Sequence, residues 1–374
     1  MLLTISNTPR DYAWGSTTLL AQLEGRAPSA TPEAEVWFGD HPGDPSDVAT
    51  GGTLDAVTGG TLPYLLKLLA AGGPLSIQVH PTREQAREGF AREAGLAESA
   101  PARNYRDDNH KPELIVPLSD RFEALSGLRP VADTLRLLDG LPESEGLEAL
   151  RAHLQDGAEP EALRATIGWL LSGSAQREVD DIIASLASAA STEFADAICG
   201  VRSIGERNPG DPGVVVALLM NFLVLRRGQA VFLRAGLLHA YVSGLGVEIM
   251  AASDNVLRGG LTPKHIDVDE LLAVVDPTPG SVPVQTPDDA ADVTVYDIPV
   301  ADFALRRVRV AGERTVEVAG PAMALVTSGE ITVASAAGEE MPIPVGSAAY
   351  ADADERVLVL RGDGEVFVAQ PGRA

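Results

Sequence analysis

Two side chains that could share a metal ion stand two residues apart in the segment LSIQVHP, where Gln78 and His80 would lie on one face of an extended strand. Further on, Glu113 follows Pro112 and opens the apolar run ELIVP, which carries a carboxylate into hydrophobic surroundings where it needs a cation. His239, in FLRAGLLHAY, follows a glycine turn and begins another apolar stretch. Singly, each has an ordinary explanation: a polar pair on a half-exposed strand, a solvated glutamate at a strand start, a hydrogen-bonded core histidine. Together, two imidazoles, a carboxylate and an amide oxygen suit a borderline divalent cation and leave positions open for a substrate.

The segment VEIMAASDNVLRGGLTPKHID adds Glu248, Arg258 and Lys264, with Gly259 and Gly260 letting the backbone approach a ligand closely. Surface solvation would account for both cations in isolation. On a glycine-bearing loop beside a metal set, they suit a phosphosugar. No Walker-type phosphate loop, HExxH motif or GxSxG elbow occurs, which leaves nucleotide hydrolysis, zinc proteolysis and serine esterase chemistry without a foothold.

The elements that must position these groups follow from pattern. Up to about residue 129 the chain reads as short apolar runs broken by Gly, Pro and Asp, including LPYLLKLL, PLSIQVHP and KPELIVPL, which predicts strands and turns. One helix is expected among them, over roughly 83–94, with Thr82 as its N-cap. Residues 130–208 turn to Leu, Ala, Glu and Arg at helical spacing, a helical subdomain. Strand-like text returns near Asn221, and VDELLAVVD reads as a further helix. A Pro-, Asp- and Thr-rich stretch over 277–292 looks like a linker before a last group of strands with glycine turns. The class is therefore mainly β with an α insert: jelly-roll β-sandwich domains, a fold that includes the cupins, plus the helical subdomain. The expected division is a discontinuous catalytic jelly roll (1–129 and 209–276), the helical subdomain (130–208), and a linker with a C-terminal jelly roll (277–374).

Composition limits the partners. A hydrophobic fraction of 45% over 374 residues is ample for two or three packed units, and 29 basic against 53 acidic residues argue against nucleic acid or an anionic membrane as main partner. An anionic substrate would then need a local cluster of Lys and Arg to overcome the field of the whole molecule. The lone Cys199 cannot form an intrachain disulfide and leaves any metal to nitrogen and oxygen ligands; a buried spectator is its expected place. The first residues lack a basic region before an apolar stretch, and the longest apolar run, Val214 to Leu225, is too short to span a bilayer, so a cytoplasmic protein is expected.

The segments YAWGS, AEVWFGDHP, LLKLLAAGGPLSIQVHP, DDNHKPELIV, FEALSGLRP, HAY and SDNVLRGGLTPK, in that order, resemble type I mannose-6-phosphate isomerases over about residues 2–276. The resemblance implies an aldose–ketose isomerase that interconverts D-mannose 6-phosphate and D-fructose 6-phosphate. It implies one zinc ion per chain, on Gln78, His80, Glu113 and His239. Arg258 is similar to the family's essential arginine, and Ser76 and Lys264 fall where the family holds the substrate phosphate. Lys111, Glu248 and Tyr241 match positions lining the pocket. Leu238 and Arg234 depart from the family pattern and bear on the loop that presents His239. The implied partner is a small-molecule phosphosugar, with a monomeric chain and neither nucleic acid nor membrane.

Such chemistry moves a proton between carbons 1 and 2 through an enediolate, whose oxygen a metal and Arg258 would stabilise. Glu248, Lys111 and a metal-bound water are all candidates for the proton carrier. His41 and His110 are expected to be solvated or structural, and Trp14 and Trp37 to form core or pocket wall. Two other classes fit parts of the pattern: a non-haem iron cupin oxygenase using the two histidines and a carboxylate, and a non-catalytic sugar-phosphate binding protein.

Overall fold

In the strand Tyr64–Ala71 every side chain is buried, because the two faces serve different cores. Tyr64, Leu66, Leu68 and Ala70 pack with Phe303, Leu325 and Phe367 of the C-terminal region. Leu65, Lys67, Leu69 and Ala71 turn to the opposite side, the interior of the first β unit, as strand alternation requires. The computed structural model describes residues 1–97, 100, 103–288 and 290–373.

The organising strand of the first unit is His239–Ala251. Its later half lies between Tyr64–Ala71 and Glu113–Pro117, with Glu248 opposite both Lys67 and Ile115. Its first half pairs with Gln78 on one side and with Phe122–Leu128 on the other. The change of partners falls at Gly244, next to a bulge between Tyr241 and Ser243. Gly244 has φ +117°, and a Cβ there would come within 2.7 Å of the Phe122 ring, so only glycine lets the strand bend and serve both walls.

Behind the segment 75–80 stands the helical subdomain, with helices Val131–Leu138, Glu145–Leu154, Glu159–Leu171, Gln176–Ser185, Ala195–Arg207 and Gly213–Leu218. Ile77 and Val79 join the core of these helices together with Leu238, Leu257 and Leu261. Leu75, Ile77 and Val79 are buried while Ser76 and Gln78 are only partly so, as the alternation predicts. The helices thus anchor one face of this segment and leave the other to do chemistry.

The C-terminal unit is an antiparallel sheet built on Ala304–Glu317, Ala322–Ser335 and Val357–Gln370. It also takes in the first strand of the chain: Leu2–Ser6 pairs with Ala348–Ala351 and, on its other edge, with Asp47–Val48. Jelly-roll sheets of this cupin-like kind bear out the expected class, and the helix Arg83–Arg92 bears out the expected capping, since Thr82 and Gln85 form a reciprocal capping box.

Other expectations need correcting. Two further short helices, Leu19–Leu23 and Leu54–Thr58, interrupt the first strand-rich region. The run Val214 to Leu225 divides into the helix Gly213–Leu218 and the strand Met220–Leu225. Within the expected linker, Val284–Gln285 forms a short strand against Ala230–Leu233. Cys199 is exposed, because it falls on the outer face of a helix whose Ala197, Ile198 and Val201 take the inward positions.

Candidate active site

Glu113, His80 and His239 converge on one point inside the first β unit. Gln78 and His239 are strand partners, and Met250, eleven residues further along the same strand, is the partner of Glu113. Glu113 Oε1 lies 3.2 Å from His80 Nε2, and Oε2 lies 3.4 Å from His239 Nε2. The ligand atoms of the three residues all fall within 4.8 Å of one another, and all three residues are buried.

Each imidazole is oriented by its other nitrogen. His80 Nδ1 stands 2.7 Å from the carbonyl of Asn255, and His239 Nδ1 stands 3.0 Å from the carbonyl of Leu237. A carbonyl can only accept, so both Nδ1 atoms carry a proton, and the His80 ring, when neutral, turns a lone pair at Nε2 toward Glu113. Burial, followed by the charge of Lys111, lowers His80 to about 4, which keeps that ring neutral. A lone pair facing a carboxylate repels it unless a cation lies between them. His80 Nε2 accordingly has no hydrogen-bond partner. Two imidazole nitrogens and a carboxylate oxygen within 4.8 Å of one another are a donor set that suits zinc. Gln78 points its amide nitrogen at Ser76 Oγ, 3.2 Å away, leaving its oxygen for the metal side. The residues fit zinc.

The cluster forms one wall of a cavity of about 440 Å³ lined by Ser76, Gln78, Lys111, Glu113, His239, Tyr241, Glu248, Arg258 and Lys264, among others. Every expected site residue lies in this cavity except His80, which is buried directly behind it. Lys111 Nζ is 3.0 Å from Glu113 Oε1. Burial would push the Glu113 carboxyl up, but the charge of Lys111 leads the influences that outweigh it and hold the group well below the usual carboxylate range.

On the opposite side, Lys67, which the sequence reading passed over, stands between Glu248 Oε2 (3.2 Å) and Glu35 Oε1 (3.6 Å). Trp37 Nε1 donates to Glu35 Oε2 at 2.8 Å. Burial raises the Glu248 carboxyl, Lys67 pulls it back, and Glu113 and Glu35 raise it again, with an upward net result. Burial would lower Lys67, but the three carboxylates around it hold it above its ordinary value and keep it charged. The signal was present: Lys67 is the single charge in LPYLLKLLAA.

At the mouth stand Arg258 and Lys264, neither with an ion-pair partner among the described residues. Burial and the like charge of Arg106 lower Arg258, while burial and Arg258 lower Lys264. Two mutually repelling cations at a cavity mouth favour an anion, and they supply the local positive charge that a molecule of formal charge −24 needs there. Their loop is fixed by Asp211, which follows the helical subdomain. Asp211 accepts from the backbone amides of Leu261 (3.0 Å) and Thr262 (3.1 Å), and Leu261 holds a left-handed φ of 58°.

Tyr12 and Trp14 complete the cavity wall, and Trp37 is buried, as expected for wall and core. His41 pairs with Asp254 at 3.0 Å and His110 with Asp302 at 2.9 Å, both outside the cavity lining. The departures at Leu238 and Arg234 leave His239 in the cluster; Arg234 pairs instead with Asp276 at 2.6 Å.

Residues 2–131 match the family model of the phosphomannose isomerase type I catalytic domain. A mannose-6-phosphate isomerase of Salmonella typhimurium is 35% identical over 96% of this chain and 97% of its own. The corresponding human protein is 30% identical over 94% of each. A crystal structure of mannose 6-phosphate isomerase bound with zinc and yttrium covers all of both chains with a TM-score of 0.87 at 33% identity. A holo, zinc-bound structure of mannose 6-phosphate isomerase superposes equally well at 32% identity.

Proposed function

The chain belongs to the type I phosphomannose isomerases, and from that premise we propose that it interconverts D-mannose 6-phosphate and D-fructose 6-phosphate in this cavity. The observation that carries the proposal is the buried group of His80, Glu113 and His239 beside a cavity that also holds Arg258 and Lys264, two cations without an ion-pair partner among the described residues. Gln78, His80, Glu113 and His239 would hold one zinc ion, which when bound supplies Lewis-acid polarisation of substrate oxygens.

The chain's own residues supply the rest. Lys264 and Ser76 grip the phosphate, Lys264 as a mobile point charge at the rim and Ser76 as a hydroxyl donor inside it. Arg258 lies between phosphate and metal cluster, where its fixed donors stabilise the enediolate oxygen as charge develops. Glu248 carries the proton between carbons 1 and 2: its carboxyl, raised by burial, can both take and return a proton, and Lys67 beside it steadies the ionised form. Tyr241, pushed well above its ordinary value by burial and the charges of Glu248 and Glu113, remains a neutral hydroxyl and can donate to the sugar. Lys111 fixes Glu113 and keeps it ionised. An iron oxygenase would have no use for Ser76, Arg258 and Lys264 beside its metal.

We read residues 1–129 and 209–276 as the catalytic unit, 130–208 as its helical support and 277–374 as the C-terminal unit, to which the catalytic unit lends the strand Leu2–Ser6. Among the described residues no helix is long and apolar enough to cross a membrane. We place the chain in the cytoplasm on its lone cysteine, as a monomer that binds neither membrane nor nucleic acid. Isomerisation of mannose 6-phosphate by the purified protein, before and after chelation and after zinc restoration, tests the function. Turnover that chelation abolishes, zinc restores and His239→Ala lacks is the expected result; no turnover at full metal occupancy would sink it.

A further inference from the structure

The segment that carries Arg258 also grips the metal cluster from behind. The acceptor for His80 Nδ1 is the carbonyl of Asn255, a residue with no exposed surface. Its side-chain amide is fully engaged. Nδ2 donates to the carbonyls of Asp107 and Asn109, each at 2.9 Å, and lies 3.1 Å from Asp107 Oδ1. Oδ1 accepts from the backbone amides of Arg106 at 2.7 Å and Asp107 at 3.3 Å. The Asp107 carboxylate answers by accepting from Ser253 Oγ at 2.8 Å, from the Asp254 amide at 2.7 Å and from the Asn109 amide at 3.0 Å.

Residues 106–109 and 253–255 are therefore one stitched piece, and it holds the carbonyl that fixes His80. The same segment continues into Leu257 and Arg258, which pair in register with Val79 and Gln78. A shift of Asn255 would thus disturb the orientation of His80 and the strand position of Gln78 together. We propose that Asn255, locked by Asp107, is a positioning residue for His80: it holds the proton on Nδ1, aims Nε2 at the metal, and so sets the affinity of the site. The proposal rests on His80 being a zinc ligand. Partners of this outer kind orient metal-bound histidines, and removing one weakens binding by roughly 10–100-fold.

The test is the zinc dissociation constant, measured by competition with a chromophoric chelator, for the parent, Asn255→Ala and Asp107→Asn, with the visible spectrum of each cobalt-substituted protein. Leu147→Ala, a truncation in the helical core far from the site, controls for general loosening. Asn255→Ala should bind zinc about 10–100-fold more weakly and show a changed cobalt spectrum; Asp107→Asn should move both in the same direction by a smaller factor; Leu147→Ala should move neither. Parent-like affinity in a folded Asn255→Ala protein, or an equal loss in Leu147→Ala, would overturn the proposal. If Asn255→Ala fails to fold, the isosteric Asp107→Asn decides in the same way. A parent that binds no zinc would sink the metal site itself, a failure distinct from that of the positioning role.

Discussion

Lys67 and Glu248 face each other as register partners on neighbouring strands, with Nζ and Oε2 3.2 Å apart and both side chains buried. A pair so enclosed is costly to break, and here both members line the cavity. Replacing Glu248 by Gln keeps the shape but removes the proposed proton carrier. We expect kcat to fall by about 10²–10⁴-fold with zinc content unchanged. Exchange of the carbon 2 proton with solvent is the direct readout; exchange at the parent rate in Glu248→Gln would remove that residue from the proton path and return Lys111 to consideration.

Lys264 stands on an exposed rim of the cavity, so the phosphate-binding role proposed for it belongs to binding more than to chemistry. Lys264→Ala should raise KM by about 10-fold or more while kcat changes little, and should flatten the rise of KM with ionic strength. Steady-state kinetics at two salt concentrations decide this. An unchanged KM would place the phosphate elsewhere.

Asp211 lies in the helical region, yet its carboxylate holds the amides of Leu261 and Thr262. Asp211→Ala should release the strained Leu261, lower stability by about 1–3 kcal/mol and raise KM for the phosphosugar. Thermal unfolding and kinetics on one preparation check both effects. A loss of stability with KM unaltered would show that the loop does not present the phosphate site.

Protons should destabilise the zinc-free protein in a particular window. His80 is depressed in the folded chain to about 4, against 6.5 when free. Below pH 6.5 the unfolded chain therefore takes up a proton that the folded chain refuses. The stability involved is present above 6.5 and is lost as pH falls toward 4, by up to roughly 3 kcal/mol. Urea unfolding of the chelated protein at pH 7 and pH 5 should show a larger loss for the parent than for His80→Gln. Equal losses would contradict a buried neutral imidazole.

Legibility of the site in the sequence had a physical limit. Gln78, His80, Glu113 and His239 could be read because chemistry-bearing types stood out at strand spacing in apolar text. Lys67 stood out as plainly, but its meaning depended on Glu35 and Glu248 arriving from other strands. Asn255 carried no signal of its own, since its work is done largely by a backbone carbonyl that any residue possesses. The alternation in LSIQVHP foretold which side faced the cavity, whereas nothing local announced that Gly244 would let one strand change partners. The short helix Leu54–Thr58 escaped because five residues give too little periodicity to read.

Leu2–Ser6 finds its partner in Ala348–Ala351, nearly the whole chain away. During synthesis Leu2–Ser6 is made long before Ala348–Ala351, and its backbone donors and acceptors on that edge stay unmatched in the meantime. Closure of so long a loop is entropically slow. Tyr64 extends the dependence into the catalytic unit, since its hydroxyl donates to Pro321 O at 3.1 Å from within the strand that carries Lys67. The strand that carries Lys67 thus gains its full packing only once the distant segments around Phe303, Pro321 and Phe367 have been made.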